Sequence, residues 1–156
     1  SLTKRLGIKS GEKLSRTLIE YYFKDDILKD PLVSEDHILT FGWANQNELD
    51  EISTLALRIN DFLVGYFSAL KIELIDFKIE FGRMYKNEEM YIVLADEISP
   101  DSCRLWDSET KRKLDKDVFR ENSGYLLDGY NEVAKRMGLL IENKASKNSK
   151  PTLVKG

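Results

Sequence analysis

LIDFKIEFG, running from Leu74 to Gly82, is the stretch on which the fold turns. Alternation places Ile75, Phe77, Ile79 and Phe81 on one face of a strand and Asp76, Lys78 and Glu80 on the other. The first face suits a core. The second carries two acids and a base, and is either a solvated surface laced with cross-strand ion pairs or a site. A second apolar run, IVLADEISPDSCRLWD (Ile92 to Asp107), follows after the polar interval GRMYKNEEM. That interval has the length of a hairpin connection, so two antiparallel strands are expected over about 72–81 and 91–98.

Outward from this pair, RTLIEYYFKDD (16–26) reads as a strand rich in β-branched and aromatic residues, and ILKDPLVSEDH (27–37) as a polar loop. Asn45 with Glu48 has capping-box spacing and predicts a helix to about Leu70. Its Leu49, Ile52, Leu55, Ile59, Phe62, Leu63, Tyr66 and Phe67 form one apolar stripe, which reads as core rather than a base-stacking surface. SPDSCRLWD (99–107) reads as a loop. DKDVFRENSGYLLDGYNEVAKRMG (115–138) reads as a second helix, weakened at Ser123-Gly124, capped by Asp115 and Asp117 and ended by Gly138. SLTKRLGIKSG (1–11) is a short basic amphipathic piece. The cationic, low-complexity 142–156 stretch is expected to be a disordered tail after a folded unit at 1–141. Strand, helix, hairpin, helix is an α+β order, a small antiparallel sheet packed with helices.

The chain has 156 residues, enough for one domain with a real core, and is 42% hydrophobic and 33% charged. A net charge of −3 gives no basic field for nucleic acid or an anionic membrane surface. No apolar run reaches the ~18 residues of a membrane span. The single cysteine, Cys103, excludes an internal disulfide and suits a reducing cytoplasm.

Hard divalent cations want oxygen ligands, and Mg²⁺ commonly takes one or two protein carboxylates plus substrate phosphates. Glu80 and Asp96 fit that role if the hairpin brings them to one face, with Lys78 neutralising phosphate charge. Asp101 and Arg104 fall beside them, and an arginine fork suits phosphate or carboxylate. His37 reads as a surface or capping residue rather than a base, and Cys103 as a buried spectator thiol. Lys116 is a weaker candidate for binding a carboxylate substrate.

These residues carry a resemblance. LIDFKIEFG resembles the strand signature of the SAICAR synthetase family (phosphoribosylaminoimidazole-succinocarboxamide synthases), ligases of purine synthesis. LADEISPDSCRLWD is similar to a second block of that family and KLDKDVFR to a third. SLTKRLGIKSG, YYFKDDILKDPLVSEDH and the 45–70 helix fit in the same order, so that the resemblance covers about residues 1–141. It implies ATP- and Mg²⁺-dependent joining of L-aspartate to CAIR, the carboxylated aminoimidazole ribonucleotide, through an acyl phosphate. By position it implies Glu80 and Asp96 as metal and ATP-side ligands, and Lys78 facing the transferred phosphate or the CAIR carboxylate. It implies Asp76 near the CAIR ribose, Ser1 and Arg104 on its phosphate, and Lys24 and Asp30 lining the cleft, and Asp101 in the turn beside them is a further substrate-binding candidate. Family members carry a β-rich N-terminal lobe with phosphate-contacting lysines, ending in R-N-x-x-x-G-S. Ser1 matches that last serine, so the resemblance implies a chain lacking the lobe, inactive alone and prone to self-association as a homo-oligomer. The fold also resembles the large lobe of kinases, an analogy of fold alone.

Two other readings remain at this point. One is a kinase-like small-molecule phosphotransferase, which would have no need of Ser1, Asp76 and Arg104 as a set. The other is a non-catalytic interaction fragment.

Overall fold

The computed structural model describes residues 2–9, 11–120 and 126–139. In chain order the elements are α1 (Leu2–Leu6), β1 (Tyr21–Tyr22), β2 (Leu32–Val33), α2 (Glu35–Thr40), α3 (Gln46–Ala69), β3 (Ile72–Phe77), β4 (Phe81–Lys86), β5 (Glu89–Leu94), β6 (Cys103–Asp107), α4 (Asp117–Arg120) and α5 (Leu126–Arg136). The strands form three antiparallel pairs, β1–β2, β3–β6 and β4–β5. The architecture is α+β, with small antiparallel sheets among helices.

α3 starts where the capping box places it. The Asn45 side chain accepts the Glu48 N–H (3.0 Å), and the Glu48 carboxylate accepts the Asn45 N–H (2.9 Å). Of the expected stripe, Leu49, Leu63 and Phe67 are buried, and Leu63 and Phe67, with Ile59 against them, pack in one cluster with Ile72 of β3, Cys103 and Leu105 of β6, Leu114, and Val133 of α5. A fully buried leucine or isoleucine contributes about 1.5–3 kcal/mol by leaving water, and Ile72, Leu105 and Leu114 are of that kind. Phe62 and Tyr66, expected in the stripe, are exposed and stack on each other with ring centroids 6.1 Å apart.

The strand pairing departs from expectation. GRMYKNEEM is not a connection between β3 and β5. It supplies the arms of a separate hairpin, in which Asn87 and Glu88, both at positive φ (51° and 65°), make the two-residue turn. β3 pairs instead with β6, which falls in the stretch read as a loop. Its burial alternates, with Cys103, Leu105 and Asp107 inside. A buried aspartate at a core position hid this strand. Asp107 is held below its ordinary range by the N–H of Thr110, the Arg136 guanidinium and the Thr110 hydroxyl.

Other boundaries also move. The strand read over 16–26 shrinks to Tyr21–Tyr22, because Asp25 and Asp30 side chains accept backbone N–H groups of Leu28 and Asp25 and turn the chain. The loop read over 27–37 contains β2 and the start of α2, where Ser34 and His37 cap reciprocally as a capping residue should. The second helix is present as α4 and α5; residues 121–125 between them, and the 142–156 stretch, lie outside the described residues. α5 lies hard against the segment before α4: a Cβ on Gly129 would sit 2.9 Å from the Leu114 carbonyl oxygen.

Candidate functional site

A register shift between Leu74 and Asp76 sorts the opening stretch. Before it, Ile72 is buried and Leu74 half-buried; Ile75 is then thrown outward at 37% exposure, against expectation. After it the alternation holds as read. Phe77, Ile79 and Phe81 are half-buried, while Asp76 and Lys78 face out and Glu80 lies at the rim. The ladder continues past Phe77, with the Lys78 N–H donating to the Ser102 carbonyl at 2.8 Å.

Each of these three residues meets an opposite charge from a distant part of the chain, β6 in one case and the β1–β2 connection in the other two. Asp76 lies across the ladder from Arg104 and accepts its Nη1–H at 2.6 Å. Lys78 reaches Asp30 at 3.2 Å and Glu80 at 3.3 Å. Glu80 also accepts from Lys24. Asp30 raises the Lys78 pKa above the ordinary lysine range with help from Glu80, and Glu80 raises that of Lys24. The Asp25 N–H and Lys78 hold Asp30 below the carboxylate range.

Asp96 joins this group. The Ala95 N–H donates to the Glu80 carbonyl at 2.8 Å, extending the β4–β5 ladder by one step. Glu80 and Asp96 therefore flank the open end of one hairpin, and both carboxylates act on the Lys24 ammonium. They do so on β4–β5, not on the β3–β5 hairpin expected from the sequence. Asp96 has φ 131°, a region L-residues rarely adopt, and its own carboxylate accepts the Glu97 N–H at 2.8 Å.

The Arg104 side of the site contains residues that sequence reading assigned elsewhere. Asp117, read as a helix cap, accepts the Arg104 Nε–H at 2.7 Å. Burial works against the Arg104 charge, but Asp117 and Asp76 outweigh it and raise its pKa. Asp101, placed in the cleft, accepts a hydrogen bond from the Tyr130 hydroxyl at 2.6 Å. Burial and this bond push the Tyr130 pKa above its ordinary value. Nothing in the spacing of Tyr130 signalled that role; it is one aromatic in an amphipathic helix. Cys103 is buried, its thiol pKa raised by desolvation, as fits a spectator. Ser1 lies outside the described residues.

As donors, the residues offer two carboxylates at one rim and two ammonium groups beside them, with an arginine one ladder away. Among the described residues no group of three or more His, Cys, Asp or Glu side chains forms a closed metal cage. A hard cation at Glu80 and Asp96 would need oxygens from a substrate to complete its shell. Among the described residues, no helix is long and apolar enough to cross a membrane.

The family model for SAICAR synthetase matches residues 1–137. The phosphoribosylaminoimidazole-succinocarboxamide synthase of Sinorhizobium medicae is 59% identical over 155 residues, which are 99% of this chain and 61% of that protein. The crystal structure of the synthase from Ehrlichia chaffeensis superposes with a TM-score of 0.84 at 46% identity, covering 90% of this chain and 59% of that one. A SAICAR synthetase in complex with ADP gives a TM-score of 0.81 at 42% identity, over 96% of this chain and 60% of the other. The chain thus spans about 61% of the length of the curated relatives it matches.

Proposed function

Since the chain belongs to the SAICAR synthetase family, we propose that a protein carrying it ligates L-aspartate to CAIR at the expense of ATP. In this reading the chain supplies the CAIR-binding and phosphate-facing part of the site, and the remaining length of the relatives closes over the nucleotide. The ADP complex of a related synthetase supports the nucleotide.

The observation that carries the reading is the pattern along 76–80. Asp76 meets Arg104 of β6, while Lys78 and Glu80 meet Asp30 and Lys24 of the β1–β2 connection. Stability does not account for it, because exposed ion pairs contribute only about 0–1 kcal/mol each. Asp96 beside them is held in a backbone conformation that costs on the order of 1–3 kcal/mol. Charge concentrated at one rim next to stored strain fits a site better than a solvated face.

A free carboxylate is a poor acyl donor. Its oxygen attacks the γ-phosphorus of ATP, ADP leaves, and an acyl phosphate forms on CAIR. The aspartate amine then attacks the carbonyl carbon, loses a proton and expels phosphate, leaving the amide. Lys78 and Lys24 balance charge on the phosphoryl group in flight. Arg104, with Ser1, is assigned to the CAIR phosphate and Asp76 to its ribose, with Asp30 and Asp101 lining the cleft. Glu80 and Asp96 have the oxygen chemistry to hold Mg²⁺, which would supply neutralisation of the triphosphate. The small charged substrates and the free, buried Cys103 fit a cytoplasmic enzyme. A second copy of the chain is a further partner, since Phe62, Tyr66, Tyr85 and Leu57 leave apolar surface exposed; sedimentation showing a monomer at tens of micromolar would remove it.

Calorimetric titration with CAIR tests the site. The wild-type chain should bind saturably, and Arg104→Lys, which turns a fork into a point charge, should bind about tenfold more weakly. Equal affinities would overturn the assignment of Arg104. SAICAR formation by a protein of the relatives' full length carrying this sequence tests the reaction.

A further inference from the structure

We propose that Asp117 positions Arg104 for anion binding and that Asp76 is the partner that gives way. The inference rests on the reading of Arg104 as the group that meets a substrate phosphate.

Arg104 is gripped from two sides, Nε–H to Asp117 at 2.7 Å and Nη1–H to Asp76 at 2.6 Å. The two carboxylates are not equivalent. The Asp117 side chain is 15% exposed and that of Asp76 is 55% exposed. Asp117 is also part of a closed ring of contacts. Its N–H donates to Asp115 Oδ1 at 2.8 Å, and Asp115 Oδ2 accepts the Leu105 N–H at 2.7 Å. Leu105 follows Arg104 in the chain, so one carboxyl group, on a residue only 1% exposed, fixes both the backbone that carries Arg104 and the segment that carries Asp117. Asp76 stands beside the β3 irregularity, and among the described residues its carboxylate bonds to Arg104 without such a tether.

An arginine between two carboxylates sits in net negative surroundings, which repel an incoming anion. Something must yield. Asp76 can turn to water at the small cost of an exposed ion pair. Asp117, 15% exposed and tied through Asp115 to the backbone that carries Arg104, has no comparable freedom to turn to water. Phosphate therefore replaces Asp76 on Nη1, while Asp117 keeps Nε and the plane of the fork aimed at the site. Freed from Arg104, Asp76 becomes available to hydroxyl groups of the same ligand, so that phosphate and sugar recognition are linked.

Inorganic phosphate as the probe isolates the Arg104 end, followed through the Arg104 Nε–H resonance of the full chain. Asp76→Asn should tighten phosphate binding about threefold, because a competing anion is removed. Asp117→Asn removes the same charge at a similar distance, yet should weaken binding about tenfold and broaden or shift the free Nε–H signal. A residue acting through charge alone would not give opposite signs, and one acting only through the fold would lower the melting temperature of Asp117→Asn without singling out the Nε–H signal. If both variants tighten binding, the positioning role is overturned while Arg104 stands. If Arg104→Met binds phosphate as well as wild type, or wild type binds none, the anion reading itself fails and the proposal with it. Should Asp117→Asn not fold by thermal melting, Asp117→Glu keeps the charge but displaces it by a methylene; unchanged phosphate affinity there would overturn the proposal.

Discussion

Strands β6 and β5 are each the second arm of an antiparallel pair, and each carries residues of the site at one end, yet they live in different surroundings. Along β6, Cys103, Leu105 and Asp107 are buried between the flanks supplied by α3 and α5. Along β5 only Ile92 is buried, and its partner β4 exposes Met84 and Tyr85. What ties β4–β5 down is largely polar: Arg83 grips Glu48 through Nε (2.6 Å) and Nη2 (2.9 Å) and the Trp43 carbonyl at 2.8 Å. The Arg104 end of the proposed site is thus anchored to the core. The Glu80 and Asp96 end of the proposed site rests on the less embedded pair, β4–β5.

The contrast is tested most severely by cavity formation. Leu105→Ala, at 0% exposure, should cost about 2–5 kcal/mol in urea unfolding, whereas Tyr85→Ala, at 72% exposure, should stay within about 0.5 kcal/mol. Comparable losses would mean that the two pairs are equally embedded. A second measurement separates chemistry from stability. In a full-length protein carrying this chain, Asp96→Asn should lower turnover by about two orders of magnitude at saturating Mg²⁺ while leaving the unfolding midpoint nearly unchanged. Near-normal turnover would remove Asp96 from the metal-holding role.

The finest test uses pH. The Arg83 guanidinium and the Asn45 N–H hold Glu48 at about 2, below its ordinary 4.5. A folded pKa lowered in this way contributes stability that is full above about pH 4.5 and fades as pH falls toward about 2. Glu48→Gln should flatten that acid limb. It should also quicken hydrogen exchange of the β4–β5 amides several-fold at neutral pH, leaving β3–β6 amides as they were. Equal acceleration in both pairs would show that the hairpin is not a separately fastened unit.

Much of this was legible in residues whose neighbours are close in sequence. Asn45 and Glu48 announce α3 because a capping box is local chemistry, and the alternation at 76–81 announces an outward row of charge. The pairing was not legible. GRMYKNEEM lacks the Asn-Gly or Asp-Gly that marks a tight hairpin, and its turn is made by Asn87 and Glu88 in left-handed backbone. β6 was concealed because a buried aspartate and a half-enclosed arginine occupy strand positions where apolar residues are the usual signal. The same concealment hid Asp117: its partner lies 13 residues away, and only the return of residues 113–115 alongside β6 makes them neighbours. Glu80 and Asp96 could be matched by their flanking strands even with the wrong arm supplied, since both arms end at the same rim.

Gly129 has a consequence for heredity. Because any side chain there would collide with the Leu114 backbone at 2.9 Å, and backbone cannot swing aside as a lysine tip can, that codon has almost no freedom to drift. A lineage that nonetheless acquired alanine there would have to move α5 outward, and Tyr130, the next residue, would travel with it. Asp101 would lose its hydroxyl partner without having changed at all. Variation at this position should then be found, if anywhere, only together with compensating change around Leu114, a paired inheritance that comparison of many descendants could reveal.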